Sequence, residues 1–112
     1  MNGLAVSLTL FGIVLLGQPS EKQIMHKAEG KVGGQYATSP VFTGVHVYRQ
    51  GRHRWTVCGE ASGRQLSGRL GPERFIVDKS SAPIFSGDPA FTQTPDDKDA
   101  FEALWRTRCV RG

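Results

Sequence analysis

The sequence lacks charge at its start and is poor in cysteine. None of its first 20 residues is charged, and only two of its 112 residues are cysteines. It has no C-x-x-C and no H-x-x-x-H pair, the short spacings with which proteins usually hold zinc. We therefore expect neither a metal site nor a cofactor, and we interpret His26, His46 and His53 as surface or half-buried side chains.

An uncharged apolar run covers residues 3–17. It is shorter than the roughly 20 residues of a membrane-spanning helix and fits the roughly 7 to 15 apolar residues of a signal peptide. We predict that residues 1–20 are a signal peptide and that residues 21–112 form a single small domain, either periplasmic or secreted. A retained short anchor is the alternative, because no Lys or Arg precedes the run and no Ala-x-Ala cleavage site follows it. Once the signal is removed, we expect no stable membrane span.

Export bears directly on the two cysteines, Cys58 and Cys109. In an oxidising compartment a lone pair of cysteines is typical of one disulfide, and here it would close a loop of about 50 residues. In the cytosol the same residues would be two unrelated thiols. The predictions of export and of a disulfide therefore depend on each other.

The periodicity of apolar residues predicts an α+β domain. A capping-box pattern over Ser20–Gln23 and a stop signal at Gly30 indicate a helix over residues 21–29. Alternating apolar residues indicate strands at residues 41–48, 54–60, 74–79 and, as a short fourth or edge piece, 84–85. We expect a short N-terminal helix, an antiparallel sheet of three to four strands and a C-terminal amphipathic helix packed on that sheet.

The C-terminal helix has the clearest signals. It begins at Thr94-Pro95, with acidic residues in its first turns and basic residues near its end, the order that the helix dipole favours. Its predicted apolar stripe consists of Ala100, Phe101, Leu104, Trp105 and Cys109. Because Cys109 lies at the end of this stripe, a bond to Cys58 would pin the helix to the second strand. Trp55 and Trp105 are both predicted to lie in the core.

The net charge is +4. Arg64 and Arg69 lie in a Gly- and Ser-rich loop predicted over residues 60–73, whereas Arg52 precedes the predicted second strand and Arg54 begins it. These four arginines are candidate contacts to an anion or to a protein partner, and a solvated basic surface is the alternative interpretation. The loop lacks the Lys and Ser/Thr of a P-loop, so we expect no nucleotide site. No nucleic-acid-binding module is recognisable, and we expect no nucleic acid partner.

Three segments follow one another in a recognisable order. They are Val57-Cys58-Gly59-Glu60, Gly71-x-x-x-Phe75-Ile76-Val77 and Phe101-x-x-Leu104-Trp105-x-x-x-Cys109. This order resembles a group of small, exported, uncharacterised proteins of Gram-negative bacteria, and the match covers about residues 39–109. The group usually continues the first motif with Val-Asn, where this chain has Ala61-Ser62, and this chain lacks the group's Gly-Gly-Tyr loop. The resemblance implies export and implies no established activity.

Two functions of different classes follow from these observations. We expect a small exported non-enzymatic binding or accessory protein, stabilised by one disulfide, whose partner is a protein or an anionic component of the cell envelope. The alternative is a small periplasmic enzyme that uses Cys58 or the arginine-rich loop of residues 60–73. Cysteine catalysis needs a thiolate beside a base, which His46 or His53 would supply. No catalytic residue is assigned, and the state of Cys58 separates the two hypotheses.

Overall fold

The computed structural model describes residues 19–110, so that nearly all of the predicted signal peptide lies outside the described residues. The elements, in chain order, are α1 (Glu21–Gly33), β1 (Val41–Arg49), β2 (Trp55–Ser62), β3 (Pro72–Asp78), β4 (Ile84–Phe85), a 3₁₀ turn (Pro89–Phe91) and α2 (Pro95–Arg108). The four strands form one antiparallel sheet in the order β1-β2-β3-β4. The predicted α+β architecture, including the short fourth strand, is confirmed.

Each face of the sheet is covered by one helix, because successive side chains of a strand point to opposite faces. On the first face α1 packs against β1, β2 and β3 and forms a buried cluster with the sheet that also includes Phe85 of β4. This cluster contains Ile24, Ala28, Val32, Tyr36, Trp55, Val57, Ala61, Phe75, Val77 and Phe85. On the second face α2 packs against a smaller cluster of Cys58, Ile76, Phe101 and Cys109. The larger core therefore lies under the N-terminal helix.

The first helix begins where the sequence predicts and ends later. The Ser20 hydroxyl accepts a hydrogen bond from the Gln23 amide N–H, and the Gln23 side chain accepts one from the Ser20 N–H. The predicted stop at Gly30 is wrong, because the helix continues to Gly33. Val32 is fully buried on the sheet. Burial of one more apolar side chain outweighs the roughly 1 kcal/mol that a glycine costs inside a helix.

The second hairpin is tighter than predicted. Strand β2 runs to Ser62 and β3 begins at Pro72, and these two residues pair, so the connection spans residues 63–71 rather than 60–73. The connection is also tied down: the buried Gln65 forms a β-bridge with Tyr36. A loop whose composition is typical of a flexible segment is therefore held by the chain that follows α1.

The C-terminal helix is capped as its sequence predicts, with the Thr94 hydroxyl and the Asp97 carboxylate accepting each other's backbone N–H. Its contact with the sheet is narrower than the predicted stripe. Phe101 is buried and Trp105 is half-buried, whereas Ala100 is exposed, so its placement in the stripe is wrong. Helix α2 therefore contacts the sheet along a narrower line of side chains than predicted, and Ala100 lies outside this line.

The predicted disulfide is present. Cys58 and Cys109 are bonded at an S–S distance of 2.04 Å, and their Cα atoms are 5.8 Å apart. The bond joins the middle of β2 to the residue that ends α2. It closes a loop with a sequence separation of 51 residues. Chain entropy alone assigns such a loop about 4 kcal/mol of stabilisation.

We expect Cys109→Ser to lower the free energy of unfolding by about 2 to 5 kcal/mol, because the unfolded chain regains the freedom of the open loop. Urea unfolding of the oxidised proteins measures the loss. Val110→Ser, at the exposed neighbouring residue, serves as the matched control and should unfold like the parent chain. Equal unfolding midpoints for the parent and Cys109→Ser would contradict the assignment.

Candidate functional site

The four candidate arginines lie at opposite ends of the sheet. Arg52 and Arg54 belong to the β1–β2 connection, which shares one end of the sheet with the β3–β4 connection; we call this the turn end. Arg64 and Arg69 belong to the β2–β3 connection at the other end, which we call the loop end. The eight residues of β2 separate the two ends by roughly 25 Å. The candidates therefore form two groups rather than one patch.

At the loop end, Arg69 is already bound to two carboxylates of this chain. Its Nε and Nη2 donate to the two oxygens of Glu73 at 3.0 and 3.2 Å, and Nη2 also donates to Asp88 at 2.9 Å. These hydrogen bonds, that of Glu73 foremost, raise the pKa of the guanidinium. The Glu73 side chain is only 10% exposed, so its charge needs this partner. Arg69 thus holds the second hairpin to the segment after β4.

Gly87 completes this network. Its N–H donates to Glu73 at 3.0 Å. A Cβ atom at this position would lie 2.5 Å from the same carboxylate, so a larger residue would displace the Glu73 carboxylate from its present position. Arg64, by contrast, is exposed, and its side chain forms no ion pair within residues 19–110.

At the turn end, three segments that are distant in sequence enclose a polar cleft of about 300 Å³. The β1–β2 connection and the start of β2 form one wall, the β3–β4 connection forms the other, and the last residue of α2 closes the cleft. The lining residues are Gln50, His53, Arg54, Trp55, Thr56, Asp78, Lys79, Ser80, Ser81 and Arg108. We call this the turn-end cleft.

Asp78 is the single carboxylate in this lining, and both of its oxygens are occupied. The buried Thr56 hydroxyl donates to Oδ1 at 2.7 Å, and Nη1 of Arg108 donates to Oδ2 at 2.5 Å. The side-chain oxygen of Gln50 lies 3.1 Å from the Thr56 hydroxyl oxygen. Asp78 therefore fixes both walls of the cleft and positions Arg108.

A lysine on the opposite face of the sheet supports the β3–β4 connection. The ammonium group of Lys31 donates to the backbone carbonyls of Asp78, Lys79 and Ser81 at 3.2, 2.7 and 3.2 Å. These three bonds fix the backbone of one wall from α1. They also place another positive charge behind the cleft, because Lys31 forms no ion pair with a carboxylate within residues 19–110.

The charge of the turn-end cleft is not balanced. Arg108 and Asp78 offset each other, whereas the exposed side chains of Arg54 and Lys79 form no ion pair in the described part of the chain. The neighbouring Arg52 is exposed as well. Of the arginines proposed from the sequence, Arg52 and Arg54 thus lie at or beside an open cationic cleft. Sequence reasoning missed Asp78, Lys79 and Arg108, because the sequence does not give the register that brings these three side chains to the same end of the sheet as Arg54.

A second cavity of about 730 Å³ lies at the loop end beside α2, and sequence reasoning missed it too. Its apolar floor includes Phe91 and Phe101, and Arg74 and Lys98 contribute positive charge. The Arg74 guanidinium lies 5.0 Å from the ring centroids of both Phe101 and Trp105, and it forms an ion pair with Glu102. The hydrogen bond from Arg74 lowers the pKa of Glu102. Through these contacts Arg74 attaches α2 to β3.

Both cysteines are in the disulfide, and the three histidines are exposed. Within residues 19–110 no group of three or more His, Cys, Asp or Glu side chains could hold a metal ion. No helix in that part of the chain is both long and apolar enough to cross a membrane. Comparison of the chain with protein-family models, curated proteins and solved structures finds no match.

The two Ser-Gly-Arg triplets at residues 62–64 and 67–69 provide a matched pair of variants. We expect Arg69→Met to destabilise the protein by about 1 to 3 kcal/mol, because it leaves the mostly buried Glu73 without its cation. The expected loss is smaller than for a fully buried ion pair, because Arg69 and Asp88 are partly exposed to solvent. Arg64→Met should change stability by less than about 0.5 kcal/mol. Thermal or urea unfolding measures both, and equal effects would contradict the distinction.

Proposed function

We infer that this chain is a small exported, non-enzymatic binding protein that works in the periplasm or outside the cell and holds an anionic component of the envelope. The observation that carries this proposal is the turn-end cleft, where Arg54 and Lys79 are exposed and have no carboxylate partner among residues 19–110. Unbalanced charge that lines a concave surface attracts ligands of the opposite sign. The proposed partner is therefore anionic.

Export is supported by two features of the chain. The uncharged apolar run of residues 3–17 has the length of a signal-peptide core. The Cys58–Cys109 bond is of a kind that persists in oxidising compartments and is rare in the cytosol. The resemblance to small exported Gram-negative proteins agrees with both.

A binding role fits the chemistry of the described residues better than catalysis does. In the disulfide Cys58 has no thiolate to act as a nucleophile. In the β2–β3 connection Arg69 is bound to Glu73 and Asp88, which leaves Arg64 as the unpaired arginine of that segment. The enzyme hypothesis relies on Cys58 or on this loop. The Cys58 thiol is in a disulfide, and one of the two loop arginines, Arg69, is already ion-paired.

Production of the full chain in a Gram-negative host tests export. We expect the protein in the periplasmic extract, with a mass that corresponds to removal of about 20 residues, because the apolar run ends near that point. Thiol titration of the unfolded, unreduced product should detect no free thiol. A full-length cytosolic product with two free thiols would contradict the proposed compartment.

Binding to a generic polyanion tests the proposed surface. On a heparin column, Arg54→Ala and Lys79→Ala should elute at clearly lower salt than the parent chain, because each removes an uncompensated charge from the turn-end cleft. Arg64→Ala carries the same change in net charge at the loop end and is the matched control. An equal loss of retention in all three variants would indicate an effect of net charge alone and would contradict the placement of the site.

A further inference from the structure

We propose that the turn-end cleft binds a doubly charged tetrahedral oxyanion, a phosphate or sulfate group, between Arg54, Lys79 and Arg108. This inference rests on the proposed function, because it names the ligand class of the same cleft. It goes further by requiring a defined binding site rather than general attraction between surfaces of opposite charge.

The lining of the cleft is rich in hydrogen-bond donors. Arg54 presents a guanidinium with five N–H groups, and Lys79 presents an ammonium group with three. Arg108 uses Nη1 for Asp78, and its remaining N–H groups are not used in any hydrogen bond within residues 19–110. The hydroxyl groups of Ser80 and Ser81 add two adjustable donors. Such a set matches a ligand that has several acceptor oxygens and a high negative charge.

The one carboxylate and three of the backbone carbonyls in the lining already accept hydrogen bonds. Asp78, the single carboxylate there, accepts from Thr56 and Arg108 through different oxygens. The carbonyls of Asp78, Lys79 and Ser81 accept from Lys31, which lies on the other side of the connection. A ligand that needs to donate hydrogen bonds finds few partners here, whereas an acceptor-rich oxyanion finds many.

The balance of charge favours a dianion over a single carboxylate. With Asp78 offset by Arg108, the side chains of Arg54 and Lys79 leave two positive charges in the lining, and Lys31 adds one behind it. One carboxylate would neutralise half of the excess in the lining, and a phosphate or sulfate dianion would neutralise all of it. The volume of about 300 Å³ is at the lower limit of ligand pockets. It therefore has room for the group that bears a phosphomonoester, such as a sugar or a lipid headgroup; a sulfate ester carries one charge, so sulfate is a dianion only as the free ion.

Titration of the oxidised protein with inorganic phosphate, sulfate and acetate, at constant ionic strength and pH 7.5, tests the proposal. We expect phosphate and sulfate to shift the backbone amide NMR signals of Thr56, Ser80 and Ser81 in a saturable way, and acetate to shift them at least about tenfold more weakly. Loss of one charge-assisted hydrogen bond weakens binding by about tenfold or more. We therefore expect Arg54→Met and Lys79→Met each to raise the Kd for sulfate by about that factor.

Arg64→Met, at the loop end, should leave the Kd for sulfate unchanged. Both test positions are exposed in the described structure, so their variants are expected to keep the fold; an unchanged melting temperature checks this. The proposal is overturned if sulfate and acetate bind equally weakly, or if the Arg54 and Arg64 variants lose affinity equally. A third outcome separates the two proposals: the Arg54 and Lys79 variants lose heparin retention, but the parent chain does not bind sulfate. This result would overturn the oxyanion site and still support binding of an anionic partner.

Vesicles distinguish a lipid headgroup from a soluble ligand. Phosphatidic acid presents a phosphomonoester, whereas phosphatidylglycerol presents a singly charged phosphodiester, and the two are compared at equal surface charge. Capture by phosphatidic acid alone, reversed by free phosphate, supports a headgroup as the source. Saturable binding of free phosphate or sulfate without vesicle capture supports a soluble ester. Equal capture by both lipids, unaffected by Arg54→Met, would count against the cleft.

Discussion

The covalent bond between Cys58 and Cys109 is the constraint on which the second face of the sheet depends. Helix α2 buries one large side chain there, Phe101, and burial of a phenylalanine contributes only about 2 to 3 kcal/mol. The half-buried Leu104 and Trp105 add contacts at the margins. The bond stabilises the native state by restricting the unfolded chain, and it fixes where α2 ends. The ion pairs that α2 makes with the sheet are therefore formed by a helix that is already held in place.

The two ends of the sheet differ in how their charges are treated. At the loop end the mostly buried Glu73 and the partly exposed Asp88 share Arg69, so these ion pairs stabilise the fold. At the turn end Asp78 and Arg108 offset each other, and the cations beside them form no ion pair within the described part of the chain. Arginine therefore occurs in two environments in this small domain, with and without a carboxylate partner among the described residues. The difference lies in whether a carboxylate of the chain reaches the guanidinium.

The architecture could be predicted from the sequence because each element has local signals. The cap at Ser20, the cap at Thr94 and the alternation from Val41 are all short-range patterns, and all three are present in the structure. The boundary at Gly30 was wrong because a tertiary contact, the burial of Val32, outweighed the local signal.

The candidate site could be predicted only in part. Arg52 and Arg54 were found from their charge, whereas Lys79 and Arg108 join them through sheet register and the placement of α2. Arg64 and Arg69 have equivalent sequence contexts, two copies of Ser-Gly-Arg, and opposite environments. A single sequence does not show which arginine meets a carboxylate, because Glu73 and Asp88 are brought together by the fold.

The position of Arg108, one residue before the disulfide, has a consequence for when the turn-end cleft is complete. The cleft needs residues 50–56, residues 78–81 and Arg108, so it forms only when three segments that are distant in sequence have packed together. Closure of the bond then fixes Arg108 at the cleft, and a newly made, reduced chain lacks that restraint. If the chain is exported as proposed, its binding site matures after it has left the reducing compartment.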